Sequence, residues 1–201
     1  MRRLTVLLTM LSILAVVDTS AAPGRRLFLN VISPPLAYSD SQVDTKLVRL
    51  LTRESNMSVS IVDQEDPVLP VFPVDYHNTD SLLEWGREAG GRYVMVVEVT
   101  SQRLERRKSF HLPLVFHKYE TVGVIEGEFR LLDLTRSRLL AAEPFKVERK
   151  GSRIFQATMD DDINDPDLHL TAPAKVRFFD QLEESLCQHL AQRVGSLAGN
   201  H

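Results

Sequence analysis

The fold of this chain is decided by residues 91–100, which read GRYVMVVEVT. Between Tyr93 and Val99 apolar side chains stand at odd and even positions alike, so both faces of an extended segment would be apolar. A strand that is apolar on both faces is usually covered on both sides by other elements. We therefore predict a buried central strand here, preceded by a helix that ends at Gly90 and Gly91, since glycine readily adopts the left-handed cap.

The next segment toward the carboxyl terminus alternates instead. Thr121–Leu134 carries apolar residues on one face and charged residues on the other, with Ile125, Phe129 and Leu131 against Glu126, Glu128 and Arg130. Leu139–Arg149 has a compatible alternation, and only the short stretch Thr135–Arg138 separates the two segments. This pattern predicts an antiparallel hairpin with one face exposed to water. The stretch that follows, residues 150–170, is polar and predicts a loop.

The flanking segments complete an α/β or α+β architecture. Arg26–Ser33 and Ser58–Asp63 predict strands, and an apolar stripe from Val43 to Leu51 predicts a helix between them. A capping box at Ser81 predicts the start of a second helix. The last helix is expected to begin after Thr171 and to end at Gly195. The predicted order is β-α-β-α-β-β-β-α, in a sheet of about five strands with helices packed on it.

The amino-terminal residues have the pattern of an export signal. Arg2 and Arg3 precede the uncharged apolar run Leu4–Val17, and small residues follow up to Ala21. This apolar run is too short to span a bilayer permanently. We predict a signal peptide at residues 1–21, cleaved after Ala21, and a single soluble domain at residues 22–201 in the periplasm or outside the cell.

Cysteine use limits how this domain is held. Cys187 is the only cysteine, so no intrachain disulfide can form. Its place beside the apolar stripe of the last helix predicts a buried, unreactive thiol. Ala22 stands where a lipoprotein would carry its lipidated cysteine, so we expect no lipid anchor.

A basic cluster is the candidate contact surface. The net charge of −3 gives the whole chain no attraction to nucleic acid. Positive charge is nevertheless concentrated after the central strand, beside apolar aromatic residues, and the predicted contact residues are Arg103, Arg106, Arg107, Lys108, Phe110 and Phe116. Three interpretations stay open: a solvated loop, a contact with anionic lipid or polymer, and a docking site for an acidic partner.

Motifs for catalysis or metal binding are incomplete. The sequence has no HExxH, GxSxG, GxxxxGK[ST] or CxxC pattern. Asp160–Asp167 matches the first three ligand positions of a calcium loop but has Asp165 where glycine is needed and Thr171 where glutamate is needed, so a solvated acidic loop is expected and weak calcium binding is the alternative. His111 and His117 supply only half of a zinc site. We expect no catalytic residue, cofactor or metal.

Glu98 supports an alternative hypothesis of another class. It lies between Val97 and Val99 in the central strand, where burial could raise the pKa of its carboxyl group. An exported hydrolase would need this acid and those of Asp160–Asp167 to meet in one cleft.

A proline-rich stretch interrupts the first half of the chain. Within Gln64–Asn78, proline recurs at every third position among apolar residues, at Pro67, Pro70 and Pro73. Proline breaks regular hydrogen bonding, so an extended loop packed along the body is expected. A recognition segment for a partner is the alternative.

Two of these stretches together resemble a known family. Gly91–Thr100 resembles a recurring strand of the form Y-hydrophobic-hydrophobic-x-G-E-hydrophobic-T, and Phe129–Thr135 resembles the R-hydrophobic-hydrophobic-D-hydrophobic-T-G turn that follows it. The pattern is similar to the periplasmic domain family of the curli-secretion channel (CsgG-like), whose relatives include LpoB-like activators of penicillin-binding proteins and the TolB amino-terminal domain. The resemblance implies a mixed sheet between helices in a non-enzymatic envelope protein that acts through protein contacts or ring assembly.

The chain departs from this family at three places. It lacks the lipidation cysteine, Arg136 replaces the turn glycine, and Gln102–Lys118 is a charged insert without the alternation of membrane-spanning strands. We therefore expect an envelope adaptor or assembly factor with protein partners or self-association, and not a secretion pore. A peripheral membrane-surface protein is a further alternative.

Overall fold

The computed structural model describes residues 26–34, 42–55, 57–63, 66–112, 116–156 and 170–199. Along the chain it has β1 (Arg26–Ile32), α1 (Val43–Ser55), β2 (Ser58–Ile61), α2 (Thr79–Glu88), β3 (Tyr93–Leu112), β4 (Phe116–Asp133), β5 (Arg138–Gln156) and α3 (Ala172–Gly199). The order of elements is the predicted one. Residues 1–21, predicted as a signal peptide, and Asp160–Asp167 lie outside the described residues.

The sheet is mixed and has the strand order β2-β1-β3-β4-β5. β1 pairs in parallel with β2 and with β3, while β3, β4 and β5 form two consecutive antiparallel pairs. The α/β class and the five-stranded sheet predicted from the sequence are therefore confirmed. Of the residues 91–100 that predicted the central strand, Tyr93–Thr100 form the first part of β3.

Two cores lie on opposite faces of this sheet because side chains alternate along each strand. The first is formed with α1 and α3, and its members include Leu47, Met95, Phe129 and Leu186. The second is formed with α2 and the loop before it, and is built around Trp85. The Trp85 ring meets Phe28 and Phe72 edge-on, with centroid distances of 5.3 and 5.0 Å.

A buried ion pair joins α1 to α3. Lys46 Nζ lies 2.8 Å from Glu183 Oε2 and 2.6 Å from Asp180 Oδ1, and the Glu183 side chain is only 3% exposed. Burial alone would lower the pKa of Lys46, but the hydrogen bonds and charges of the two carboxylates outweigh it and raise that pKa.

Cys187 lies in the same interface. It is fully buried, with Sγ 3.5 Å from the carbonyl oxygen of Val43. Burial raises the pKa of its thiol to about 12, so the thiolate that reacts with electrophiles is suppressed at neutral pH. The predicted burial of the cysteine is confirmed.

Two helix ends differ from the prediction. α2 begins at Thr79, where the side-chain oxygen of Asn78 accepts hydrogen bonds from the backbone N–H groups of Asp80 and Ser81, so the capping residue is Asn78 and the predicted cap at Ser81 was wrong by three residues. α3 does not end at Gly195 but continues to Gly199. Its apolar face extends past this glycine to the buried Ala198, and that burial favours further helix despite the poor helix propensity of glycine. The predicted end of α2 is correct, since Gly90 has a φ of +74°.

The three long strands differ from the prediction more than the helix ends do. The charged segment Gln102–Lys118 is part of the sheet, because all of its described residues continue β3 or begin β4, and β5 likewise extends to Gln156 where a loop was predicted. Charged residues alternate here in place of apolar ones, so the hydrophobic pattern gave no strand signal. The β4–β5 hairpin itself is confirmed, with the left-handed position of its turn at Ser137, φ +52°.

Within the described ranges, the structure contains no helix that combines the length and the apolar character needed to cross a membrane.

Candidate functional site

Six charged side chains form a network on the wet face of the three long strands. We call Arg103, Glu105, Arg107, Glu126, Lys146 and Glu148 the ion network. Arg103 lies 2.7 Å from Glu126 and Arg107 lies 2.7 Å from Glu148, both across strands, while Glu105 lies between the two arginines at 2.8 and 2.7 Å. Lys146 closes the network at 2.9 Å from Glu126.

Neighbouring cations keep the carboxylates of the ion network ionised, and the network contains as many negative as positive charges. The hydrogen bond from Arg103, followed by that from Lys146, lowers the pKa of Glu126 to about 2. Arg107 does the same for Glu148, whose pKa also falls to about 2. Three cations face three carboxylates, so this surface offers an anionic partner little net positive charge.

The predicted basic cluster is therefore corrected in two respects. It lies on a strand and not in a loop, and the alternation of that strand divides it between two faces. Arg103 and Arg107 join the ion network, whereas Arg106 pairs in register with Thr121 and belongs to the opposite face.

The apolar part of the predicted contact surface is only partly described. The backbone of β3 and β4 pairs Lys108 with Tyr119, Phe110 with Lys118 and Leu112 with Phe116 near the end of the hairpin. The side chains of Lys108, Phe110 and Phe116 lie outside the described residues, so their role in contacts stays a prediction. The same register places His111 opposite His117.

Glu98 lies in a small, open pocket beside the second core. Its carboxylate accepts a hydrogen bond from the Tyr76 hydroxyl at 3.2 Å and lies 3.6 Å from Nε2 of His77. Glu128 stands directly opposite on β4 and pairs with Arg130 at 2.7 Å, and Arg130 also donates to the backbone carbonyl oxygen of His77. The Glu98 side chain is one-quarter exposed and so is not the fully buried acid considered above.

The pocket is small, and the side chains that line it are held by hydrogen bonds and ion pairs. Burial, followed by the charge of Glu98, raises the pKa of Tyr76, so its hydroxyl stays protonated as a donor. Across the described part of the chain, no three histidine, cysteine or carboxylate side chains are grouped so that they could hold a metal ion.

A row of exposed valines lies in the proline-rich stretch, for which a recognition segment was only the alternative prediction. Val68, Val71 and Val74, which we call the valine ridge, are 86%, 91% and 95% exposed. They recur at every third residue, and each follows a proline, at Pro67, Pro70 and Pro73. Single apolar residues scattered over a surface need no explanation, but three almost fully exposed valines so close in sequence are a candidate interaction surface.

The loop that carries the valine ridge is anchored to the second core through Trp85. Phe72, between two ridge valines, is buried against Trp85, and the indole N–H of Trp85 donates to the carbonyl oxygen of Pro70 at 2.9 Å. The body-facing side of the loop is thus packed, as predicted, while the opposite side is apolar and exposed.

Aspartate turns lie at both ends of the ridge. The carboxylate of Asp66 accepts a hydrogen bond from the backbone N–H of Val68, and that of Asp75 accepts one from the N–H of His77. From Asp63 to Asp80 the chain contains five acidic residues and no lysine or arginine. The ridge is therefore a rigid apolar row within an acidic segment.

Comparisons with known proteins were made by sequence and by structure. No family model matches the chain, and no curated protein matches it. A minor lipoprotein from Acinetobacter baumannii is similar in structure, with a TM-score of 0.39 and 13% identity over 84% of this chain and 90% of that chain. A Xanthomonas campestris protein of the family DUF330 has a TM-score of 0.49 and 11% identity over 88% and 86%.

TolB from Acinetobacter baumannii is also similar, with a TM-score of 0.32 and 14% identity over 62% of this chain and 24% of that chain. The similar structures thus include a lipoprotein and TolB, as the resemblance implied. They do not show the resemblance to the curli-secretion channel. Likeness at these scores carries no argument about activity.

Proposed function

We propose that this chain is an exported, non-enzymatic protein of the cell envelope that acts as an adaptor or assembly factor through protein–protein contacts. The valine ridge carries the proposal. Three apolar side chains are held in water by a proline-rich segment whose other side is packed on Trp85, although the same segment has apolar residues that it buries. A partner that covers the ridge would remove this apolar surface from water.

The export half of the proposal rests on the sequence of residues 1–21. Amino-terminal sequencing of the protein from the envelope fraction tests it, and the mature chain should begin at Ala22. A chain that keeps Met1 in the cytoplasm would contradict export.

The contact half is tested by in-cell cross-linking of the tagged full chain, followed by mass spectrometry. The wild type should give one recurrent adduct, with a partner protein or with itself. A variant that carries Val68→Ser, Val71→Ser and Val74→Ser should lose it. Each of these positions is almost fully exposed, so we expect each substitution to change the free energy of unfolding by less than about 0.5 kcal/mol. A wild type without any adduct would contradict the proposal.

A hydrolase is the second candidate because Glu98 is held by Tyr76 and His77 at a pocket mouth. Glu98→Gln keeps the shape and can still accept a hydrogen bond from Tyr76. It should leave the cross-linked adduct unchanged in an adaptor, whereas lost turnover of an exported substrate with intact binding would establish the enzyme instead.

A further inference from the structure

Resting on the proposed function, we infer that the valine ridge docks into an apolar groove of a different protein, a groove lined by aromatic side chains and rimmed by lysine and arginine. The inference names the partner by its chemistry, which the shape, rigidity and charge of the ridge specify.

The shape and rigidity indicate the groove. Pro67, Pro70 and Pro73 each fix their own φ angle and disfavour helical backbone in the residue before them. A segment fixed by proline loses little entropy on binding, and aromatic-lined grooves recognise proline-rich segments. Val68 lies in a turn closed by the hydrogen bond from the Leu69 N–H to the Asp66 carbonyl oxygen at 3.3 Å, and residues 70–73 follow without helix or strand.

The charge indicates the rim. Asp75 and Asp80 are exposed, and the absence of lysine and arginine between Asp63 and Asp80 leaves this sequence segment acidic. Lysine and arginine around the groove would complement these aspartates and hasten encounter. Anionic lipid would be repelled by the same aspartates.

The ion network argues for a different protein over a second copy. Arg103, Arg107 and Lys146 are each held by carboxylates of their own chain at 2.9 Å or less. A second copy would have to break these pairs to offer its network cations to the acidic segment.

The test is site-specific photo-cross-linking in cells, with the full chain carrying the cross-linker at position 71. Val176, an exposed valine on α3, is the matched control position, and Lys146 samples the ion network. Position 71 should give an adduct with another protein, mapped to a peptide that contains aromatic and basic residues, and position 176 should give none. Adducts with this chain's own residues, with a second copy or with lipid would overturn the inference, as would no adduct at position 71.

A binding measurement with the identified, purified partner completes the test. Val71→Ser should raise the dissociation constant by about tenfold, because burying a valine contributes on the order of 1.4 kcal/mol to the binding free energy. Raising the salt concentration should weaken binding further through the charged rim. Wild-type affinity for Val71→Ser would overturn the inference. Adducts at Lys146 but not at position 71 would overturn it while leaving the proposed function intact, whereas no adduct at any position would contradict both.

Discussion

Ser137 has a left-handed backbone in the turn between β4 and β5, with a φ of +52°. Glycine adopts this conformation without the steric cost that a Cβ atom imposes. We therefore expect Ser137→Gly to be more stable than Ser137→Ala by about 1 kcal/mol in urea unfolding. Both variants lose the same hydrogen bond between Arg87 and the Ser137 hydroxyl, so their difference isolates the backbone.

The neighbouring Arg136 is the control position, because it stands where the turn pattern that Phe129–Thr135 resembles has its glycine. Among the described residues, only Ser137 and Gly90 have a positive φ, so position 136 does not. Arg136→Gly should thus be less stable than Arg136→Ala, the reverse of the order at position 137. The same order at both positions would contradict our assignment of the left-handed residue.

Asp133 makes the same turn dependent on pH. Its carboxylate is fully buried, and burial opposes its charge, but hydrogen bonds from the Thr135 hydroxyl and from the backbone N–H groups of Arg136 and Thr135 outweigh this and lower its pKa. A lowered carboxyl pKa stabilises the folded state above the unfolded value, near 3.9, and this stabilisation is lost as pH falls through the folded value.

The measurement compares wild type with Asp133→Asn, which keeps an acceptor and loses the charge. We expect the variant to be less stable by about 1 to 2 kcal/mol at pH 7. The difference should shrink as pH falls below about 3.9, where the unfolded chain takes up the proton, until the folded carboxylate is protonated at its lower pKa. A difference that is the same at pH 7 and pH 3 would show that the charge does not contribute.

At the scale of elements, the continuation of α3 past Gly195 gives a direct test. A Cβ at Gly195 would meet no other atom within 4 Å, and the glycine lies inside a 28-residue helix. Gly195→Ala should therefore raise the free energy of unfolding by up to about 1 kcal/mol. If the helix ended at Gly195 with a left-handed cap, as the sequence suggested, the same change would destabilise the protein.

The elements themselves show what sequence patterns can and cannot predict. Hydrophobic alternation in Thr121–Leu134, the double apolar face of residues 91–100 and the apolar stripes and caps of the flanking segments predicted the type and order of the eight elements. The second half of β3, the start of β4 and residues 150–156 of β5 were missed, because charged side chains such as Arg103 and Arg107 alternate at this end of the sheet in place of apolar ones. Pairing of this kind depends on the register between strands distant in sequence, which no local period reveals.

The whole molecule depends on how α1 and α3 meet. Lys46→Met would leave the Glu183 carboxylate buried without its cation, and we expect this to cost about 3 kcal/mol or more in urea unfolding at pH 7. The double variant with Glu183→Met should recover much of that loss, since an apolar pair of similar volume replaces the ion pair. If both single variants were harmless, the pair would contribute nothing.

The pH dependence of the pair has the opposite sign to that of Asp133. A raised lysine pKa stabilises the fold below the unfolded value, near 10.4, and this stabilisation is lost as pH rises through the folded value. Alkaline unfolding of the wild type should therefore reveal a loss that the double variant lacks.

The candidate site was less predictable than the fold. Charge spacing singled out Arg103 and Arg107 as contact residues, which stays a prediction, but the carboxylates that neutralise them, Glu126 and Glu148, lie on other strands. Proline spacing indicated the segment of the valine ridge, yet which of its apolar residues are buried depends on Trp85, well beyond the loop. Tertiary contacts, and not local pattern, decided both surfaces.

The mixed sheet has a consequence for the time course of folding. β3, β4 and β5 pair with neighbours in sequence, whereas Leu27 in β1 must find Tyr93 in β3 and Val59 in β2. Closing long loops is entropically costly and slow, so the antiparallel ribbon should form before β1 docks. In pulse-labelled hydrogen exchange, the amide of Leu131 should gain protection earlier than that of Leu29. β1, the first of the described strands along the chain, would then dock after the three long strands that follow it, and β2 could join the sheet only through β1.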